Sequence, residues 1–233
     1  APLAAKALSK TLLIFDAYHD VVHKARTNNW AKEVVDAWAN ADWFTEGDQV
    51  NSLFGFDLGP AGDVNNDGYD DVIVGADRGI GGFLPRGRVD LYLGSPAGLP
   101  STPTWTAEAD GSSVSAAGDV NGDGYGDVIV GAQRYDNGQT DEGAMYVYYG
   151  TASGLSGSAN WAIESNVAGA WFGTSVSTAG DVNGDGYGDV IVGAYFNTSF
   201  TGKAYVYLGG AGGLRTAERR VAEEGTSGES SYH

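Results

Sequence analysis

The chain has 233 residues and a formal net charge of −17, which comes from 30 acidic and 13 basic residues. This charge argues against nucleic acid as a partner, and the absence of cysteine excludes disulfides, thiolate catalysis and cysteine-held metal clusters. No apolar run reaches the roughly 20 residues needed to cross a bilayer, so we expect no membrane span, and the first ten residues do not form a signal peptide.

The first 42 residues have helical periodicity. Apolar residues recur at helical spacing over residues 8–25 and again from Trp30 to Ala41, and Asn29 is placed to cap the second stretch. We therefore predict a helical hairpin over residues 1–42. The sequences "APLAAKALSKTLLIFDAYHDVVHKA" and "AKEVVDAWANADWF" resemble a helical, HEAT-like segment of bacterial aconitase B. Nothing catalytic carries over, because the iron–sulfur cluster of an aconitase needs cysteines.

Two histidines in this segment have the spacing of a zinc site. His19 and His23 are four residues apart on one predicted helix face, as in H-E-x-x-H proteases, with Asp20 where those proteases have glutamate. The only other histidine is His233, so the sequence offers no third ligand. We interpret the pair as two partly exposed helix histidines.

Three copies of one motif follow the helical segment. The stretch "GDVNNDGYDDVIVGA" begins at Gly62, and "GDVNGDGYGDVIVGA" begins at Gly118 and again at Gly180. Each copy reads D-x-N-x-D-G-x-x-D, which places oxygen-bearing side chains at alternate positions of a tight loop and glycine at the sharp turn. Hard, mostly anionic oxygen ligands are typical of calcium sites rather than zinc or copper sites. Three copies argue against simple polar turns.

The predicted calcium ligands are the side chains at loop positions one, three, five and nine and the backbone carbonyl at position seven. EF-hand and dockerin loops begin in the same way but need a polar ligand at position twelve, at the start of a helix. Here position twelve is valine, inside the β-branched run "DVIVGA", so we expect the loops to lie between strands. The three predicted sites are Asp63, Asn65, Asp67, Tyr69 and Asp71; Asp119, Asn121, Asp123, Tyr125 and Asp127; and Asp181, Asn183, Asp185, Tyr187 and Asp189.

The repeats have the size of propeller blades, since their first aspartates are 56 and 62 residues apart. Each unit contains four predicted strands: one before the loop, "DVIVGA", an alternating segment such as "GRVDLYLGS", and one headed by Trp105, Trp161 or Arg220. We therefore predict a mainly β fold of three four-stranded antiparallel propeller blades. The blades are predicted over residues 43–224, at about 43–108, 109–164 and 165–224, followed by a disordered polar tail at 225–233.

These units resemble FG-GAP repeats, which build the propeller head of integrin α subunits and occur in many bacterial extracellular proteins. The "FG" pair stands at Phe54 and Phe172, and "GA" ends each loop strand. The middle repeat lacks "FG", which leaves its first strand in question. The resemblance implies calcium on one face of the propeller and ligand binding at the variable loops of the other face, residues 77–86, 133–142 and 195–201.

Three blades do not close a ring, because propellers generally have four to eight. The chain is a fragment of a longer ring, or its first residues plug the gap, or two chains contribute three blades each. The sequence "WFTE" at residues 43–46 matches "WTAE" at 105–108 and is interpreted as a strand left from a preceding blade. We favour the closed homodimer, because it covers every strand edge.

The predicted function is a non-enzymatic, calcium-binding module for adhesion or for binding a protein or glycan that the sequence does not name. No nucleophile elbow, phosphate loop or histidine–carboxylate constellation indicates an enzyme. Cytosolic calcium is too low for such sites, so we expect a secreted or cell-surface location. Two alternatives stay open: an accessory propeller fragment of a larger secreted hydrolase or lyase, and a module that only assembles chains.

Overall fold

A computed structural model describes residues 41–47, 53–77, 87–109, 113–195, 201–215 and 221–223. The chain divides into two compact units, Ala1–Val50 and Asn51–His233. The predicted helical hairpin, the pair His19 and His23, and the tail at 225–233 lie outside the described residues. Residues 41–47 form no strand within the chain. The strand predicted at 43–46 would complete a blade of a second chain, so it stays a prediction.

The described part of the second unit consists of three four-stranded antiparallel sheets and one short hairpin. In each large sheet the strands are neighbours in chain order. The first sheet contains β1 (Phe54–Gly62), β2 (Asp71–Ala76), β3 (Gly87–Tyr92) and β4 (Trp105–Ala109). The second contains β5 (Ser113–Gly118), β6 (Asp127–Ala132), β7 (Ala144–Tyr148) and β10 (Trp161–Glu164), and the short hairpin of β8 (Gly150–Thr151) and β9 (Gly154–Leu155) lies between β7 and β10 in the chain. The third contains β11 (Phe172–Gly180), β12 (Asp189–Ala194), β13 (Lys203–Tyr207) and β14 (Val221–Glu223).

The "DVIVGA" runs form the second strand of each sheet, which is paired on both sides. Ile129 of β6, for example, lies opposite Ser115 of β5 and Val147 of β7. All six residues of β6 are buried, as expected for a continuous β-branched run inside a packed sheet. Each aspartate loop joins the first strand of its sheet to this second strand, which confirms that the loops lie between strands.

The middle repeat forms its first strand without the "FG" pair. In β1 and β11, an irregularity in the pairing extends the strand back to phenylalanine, so that Phe54 lies opposite Ala76 and Phe172 opposite Ala194. These strands have nine residues, whereas β5 has six. The first strand of the middle repeat therefore forms without the pair, because the backbone of Ser113–Gly118 supplies the ladder to β6.

The apolar core lies between successive sheets. One cluster joins Val64 and Ile73 of the first repeat to Val128 and Val130 of the second. An equivalent cluster joins the second repeat to the third through Val120, Ile129, Val190 and Val192, all of them completely buried. The first two sheets thus each send a loop valine and a central isoleucine into the sheet that follows.

A tryptophan reinforces each of these junctions. The ring of Trp105 in β4 meets the ring of Tyr148 in β7 edge to face, with 4.9 Å between centroids. Trp161 in β10 meets Tyr207 in β13 in the same way at 5.4 Å. Such pairs add about 0.5–1.5 kcal/mol beyond their buried area. In the described ranges, no helix is of the length and apolarity that a membrane crossing requires.

Candidate metal centres

The three aspartate loops share one backbone conformation. The glycine at position six has φ of +89° in Gly68, +88° in Gly124 and +90° in Gly186, a region that side chains disfavour. Position four is left-handed as well, at Asn66 in the first loop and at glycine in the other two. Asparagine tolerates this conformation better than most residues do. The motif therefore specifies the same tight turn three times.

Oxygens from positions one and three converge on one backbone N–H. In the first loop, the Asp67 N–H donates to Asp63 Oδ1 at 3.0 Å and to Asn65 Oδ1 at 3.3 Å. Asp63 Oδ2 accepts the Gly68 N–H at 2.8 Å, and Asp67 Oδ1 accepts the Tyr69 N–H at 3.0 Å. The same bonds recur in the second and third loops. The side chains of positions one, three and five thus lie together at the accessible surface of each loop.

The third loop shows how this cage favours the ionised carboxylate. The Gly186 N–H, together with those of Gly184 and Asp185, holds the pKa of Asp181 below its ordinary value. Donors that face a carboxylate stabilise its charged form. An ionised carboxylate at position one is the form that coordinates a cation.

The ninth aspartate of each loop has a further role that the motif did not reveal. Asp71, Asp127 and Asp189 are completely buried. In the second loop, Asp127 Oδ2 accepts the Val120 N–H at 2.8 Å, and Oδ1 accepts the Gly150 N–H at 2.9 Å. The equivalent bonds in the other loops come from Val64 and Gly94 and from Val182 and Gly209. This carboxylate ties the loop to a glycine two residues after the third strand of its sheet.

Burial makes the charge on this buried aspartate costly. Desolvation raises the pKa of Asp127 from 3.8 to about 7; its two backbone hydrogen bonds oppose the shift, and the charges of Asp123 and Asp119 add to it. Desolvation also raises the pKa of Asp71, with a smaller contribution from the charges of Asp67 and Asp63. Asp71 and Asp127 therefore sense the carboxylates of their own loops, and a cation beside those carboxylates would favour the ionised form of both.

The donor types of each loop fit calcium, although the side chains do not form a closed cage. Over the described part of the chain, no three His, Cys, Asp or Glu side chains converge closely enough to hold a metal ion. The carboxylates of positions one and five are held by loop N–H groups, and the amide of position three donates to position five, as from Asn65 to Asp67 at 2.9 Å. Three carboxylates, an amide oxygen and a backbone carbonyl are nevertheless the hard oxygen donors that calcium prefers.

Three glycines after the third strands let the loops pack. A Cβ atom on Gly150 would overlap the carbonyl oxygen of Gly126 and lie 2.5 Å from that of Val64. Gly94 and Gly209 have equivalent close approaches to Asp70 and Gly188. Sequence reasoning missed these glycines as part of the site, although each ends the alternating third-strand segment, in "YLGS", "YYGT" and "YLGG".

Replacing Gly150 with alanine is expected to lower the free energy of unfolding by about 1–3 kcal/mol, because the added methyl group meets two backbone oxygens that cannot rotate away. Gly157→Ala is the matched control, since a Cβ there has nothing within 4 Å, and it should stay within about 0.5 kcal/mol of wild type. Urea unfolding measures both. Equal stabilities for the two variants would contradict the packing role of Gly150.

Comparison with known proteins identifies the repeats. The family model described as "FG-GAP repeat" matches residues 111–148 and 172–207, which contain the second and third aspartate loops. The chain contains FG-GAP repeats. Integrin alpha-PS2 of Drosophila melanogaster is 35% identical over 184 residues, which cover 70% of this chain and 13% of that protein. Integrin alpha-8 of Gallus gallus is 35% identical over 181 residues, covering 69% of this chain and 16% of that protein.

The FG-GAP chain thus spans only a small part of the curated relatives that it matches. Its first segment matches a different family, the aconitate B N-terminal domain, over residues 1–44. Aconitate hydratase B of Synechocystis sp. is 56% identical over 50 residues, which are 22% of this chain and 6% of that enzyme. Among solved structures, rhamnogalacturonan lyase YesW aligns with a TM-score of 0.49 at 15% identity, covering 74% of this chain and 34% of the lyase.

Proposed function

We propose that this FG-GAP chain is a non-enzymatic, calcium-binding β-propeller module for adhesion or for binding a protein or a glycan. The observation that carries the proposal is the threefold repetition of one acidic loop with one hydrogen-bond pattern. In the proposal, the three sheets are blades, and the fifteen predicted ligands hold three Ca²⁺ ions. A homodimer of such half-rings is the assembly that we propose.

Calcium would stabilise the folded loops by offsetting the repulsion within each carboxylate cluster. Three ions carry six positive charges and would change the formal charge of −17 to −11. Extracellular calcium modules have dissociation constants of about 0.1–1 mM, well above cytosolic calcium levels. We therefore propose a secreted or cell-surface location.

The variable loop at residues 133–142 borders the groove that we propose as part of the ligand surface. A groove of about 280 Å³ lies between this loop and the outer strands of the second sheet, lined in part by Tyr135, Tyr146, Glu164 and Asn166. The two tyrosine rings meet edge to face at 6.1 Å. Asn137 Nδ2 donates to both oxygens of Glu164 at 3.1 and 3.0 Å, which fastens the loop to β10. Aromatic faces beside carboxylate and amide groups suit a sugar or a polar peptide.

The chemistry of the sheet residues favours binding over catalysis. The three histidines of the chain are His19, His23 and His233, and the chain has no cysteine, so residues 24–232 contain neither residue type. A hydrolase or lyase site in the sheets would therefore depend on other residue types, such as carboxylates, tyrosine, serine, threonine, arginine and lysine. The accessory-enzyme alternative and the assembly-only alternative are outcomes of the following experiment.

Glycan and protein arrays probed with the purified chain test the proposed binding role. We expect spots that are retained in calcium and lost in chelator, and a signal that falls at least tenfold in Tyr135→Ala but persists in Tyr135→Phe, which keeps the ring. Absence of any calcium-dependent spot would contradict the binding function and leave the assembly role. Cleavage of arrayed glycans in place of retention would favour the enzyme alternative.

A further inference from the structure

The three sheets repeat one junction twice and leave its two halves exposed at the ends. We call the side of a sheet that faces the next sheet its trailing face, and the opposite side its leading face. The trailing face of the third sheet is defined by Ser175, Val182 and Ile191. The leading face of the first sheet is defined by Gly55, Leu58 and Asp70.

Apolar side chains of the trailing face are buried at both internal junctions. Val64 and Ile73 of the first repeat are 0% exposed, as are their equivalents in the second repeat. In the third repeat, however, Val182 is 58% exposed and Ile191 is 36% exposed. The side chains that are buried at both internal junctions are therefore exposed to solvent in the third repeat.

The leading face shows the complementary pattern. Val114 of β5 and Val176 of β11 are 4% and 8% exposed, whereas Leu58, at the same register position of β1, is 63% exposed. A Cβ atom on Gly173 would overlap the carbonyl oxygen of Ala144 in the preceding sheet, but a Cβ atom on Gly55 would meet nothing within 4 Å. Gly55, the "FG" glycine of the first repeat, therefore has the backbone conformation that lets a neighbouring sheet pack closely, but no sheet packs against it.

Polar contacts set the register at the internal junctions. The Gly126 N–H donates to the Asp63 carbonyl at 2.9 Å, and the Gly188 N–H donates to the Asp119 carbonyl at 2.7 Å. The Val114 N–H donates to Asp57 Oδ2 at 2.9 Å, and the Val176 N–H donates to Ser113 Oγ at 3.1 Å. The equivalent acceptors of the third repeat, the Asp181 carbonyl and Ser175 Oγ, belong to exposed residues of the trailing face.

We propose that the trailing face of the third sheet binds the leading face of the first sheet in a second copy of this chain. A second copy is the expected partner, because the two end faces carry the same residue types, in the same register, as the faces that pack together at the two internal junctions. Two such contacts, one at each end, would close a ring of six sheets. The inference rests on the proposed half-ring function and assigns the surface that joins the halves.

One residue makes the contact between copies weaker than the internal junctions. Position eight of the loop is glycine at both internal junctions, where a Cβ atom would lie 3.0 Å from the Asp63 carbonyl oxygen at Gly126 and 2.9 Å from the Ala117 carbonyl oxygen at Gly188. The first repeat has Asp70 at this position, and its side chain is exposed. The junction between copies must therefore open by a few tenths of an ångström. Asp70→Gly removes this obstacle and should tighten self-association.

Sedimentation velocity of the full chain in calcium, over a concentration series, tests the proposal. We expect wild type to associate into a species of two chains and Asp70→Gly to do so at a concentration at least tenfold lower. In the Asp70→Gly background, Leu58→Asp and Val182→Asp should each be monomeric alone, yet an equimolar mixture should form a one-to-one complex, because one intact junction remains between them. Val167→Asp, which alters a 39% exposed valine outside both end faces, is the control and should associate like Asp70→Gly.

Several results would overturn the proposal. These are a monomer for both wild type and Asp70→Gly at about 100 μM, unchanged association in Leu58→Asp and Val182→Asp, or no complex in their mixture. At a concentration low enough for every variant to be monomeric, the melting temperatures should match, because the altered side chains are exposed. A calcium titration of Leu58→Asp, whose altered side chain lies in β1 and outside the loops, separates the two claims. Bound calcium without association in any variant refutes the junction alone, whereas absence of calcium binding refutes the proposed function.

Discussion

Removing calcium is expected to lower the free energy of unfolding of the sheets by about 4–8 kcal/mol relative to ~10 mM calcium. Each site with a dissociation constant of about 0.1–1 mM contributes roughly 1.4–2.7 kcal/mol at that concentration, because the ion binds the folded loop and not the unfolded chain. For a unit of this size the melting temperature should fall by on the order of 10–25 °C. Scanning calorimetry in calcium and in chelator measures the difference.

Variants of single loops measure how much of the stabilisation by calcium each loop provides. Asp67→Ala, Asp123→Ala and Asp185→Ala each remove an exposed carboxylate at position five, and each should abolish about one third of the stabilisation by calcium. Glu108→Ala removes an exposed carboxylate outside the loops and serves as the control. A loss in Glu108→Ala as large as in the loop variants, or equal stability of wild type in calcium and chelator, would refute the assignment of the loops.

Replacing Asp127 with alanine is expected to destabilise the chain by about 3 kcal/mol in chelator, and by more in calcium because the substitution also removes a proposed calcium ligand. Its two oxygens accept the Val120 and Gly150 N–H groups inside the protein, and a buried donor without an acceptor costs about 1–3 kcal/mol. Asp123→Ala is the matched control because it removes a loop carboxylate that is exposed. Urea unfolding should show a loss for Asp123→Ala in calcium only. Equal stability of the two variants in chelator would contradict the separate structural role of Asp127.

The pH dependence of stability provides a second readout of this carboxyl. Because burial raises the pKa of Asp127 from 3.8 to about 7, the folded chain binds more protons than the unfolded chain between these values. The contribution of Asp127 to stability in chelator therefore falls as pH rises from about 4 to 7, and Asp127→Asn should remove that slope. Calcium favours the ionised form, so its binding should weaken as pH falls below about 7. A wild-type slope that survives in Asp127→Asn would contradict the shift.

The repeated features of the fold could be predicted from the sequence because they depend on local chemistry. The run "DVIVGA" has the β-branched composition of a buried strand, and valine at position twelve excludes the helix that follows an EF-hand loop. The glycine at position six predicts a positive φ, and φ is close to +90° in all three loops. Strand composition and loop spacing therefore predict that the loops lie between strands and that the side chains at positions one, three and five lie close together.

Other features depend on contacts between distant residues and could not be predicted from spacing. The buried aspartate bonds to a glycine 23 residues further on in the first two repeats, so the motif indicated a ligand but not its structural role. The exposure of Val182 and Leu58 depends on which sheet lies beside each of them. The repeated motif has the same pattern whether or not a neighbouring sheet covers it, so the pattern does not predict this exposure.

Each of the three loops is proposed to bind one calcium ion. Isothermal titration of the full chain with calcium at pH 7.5, after exhaustive chelation, measures the number of bound ions. We expect three ions per chain, with two remaining in Asp67→Ala, Asp123→Ala or Asp185→Ala. A chain that binds no calcium, or that binds the same number of ions after these substitutions, would contradict this proposal.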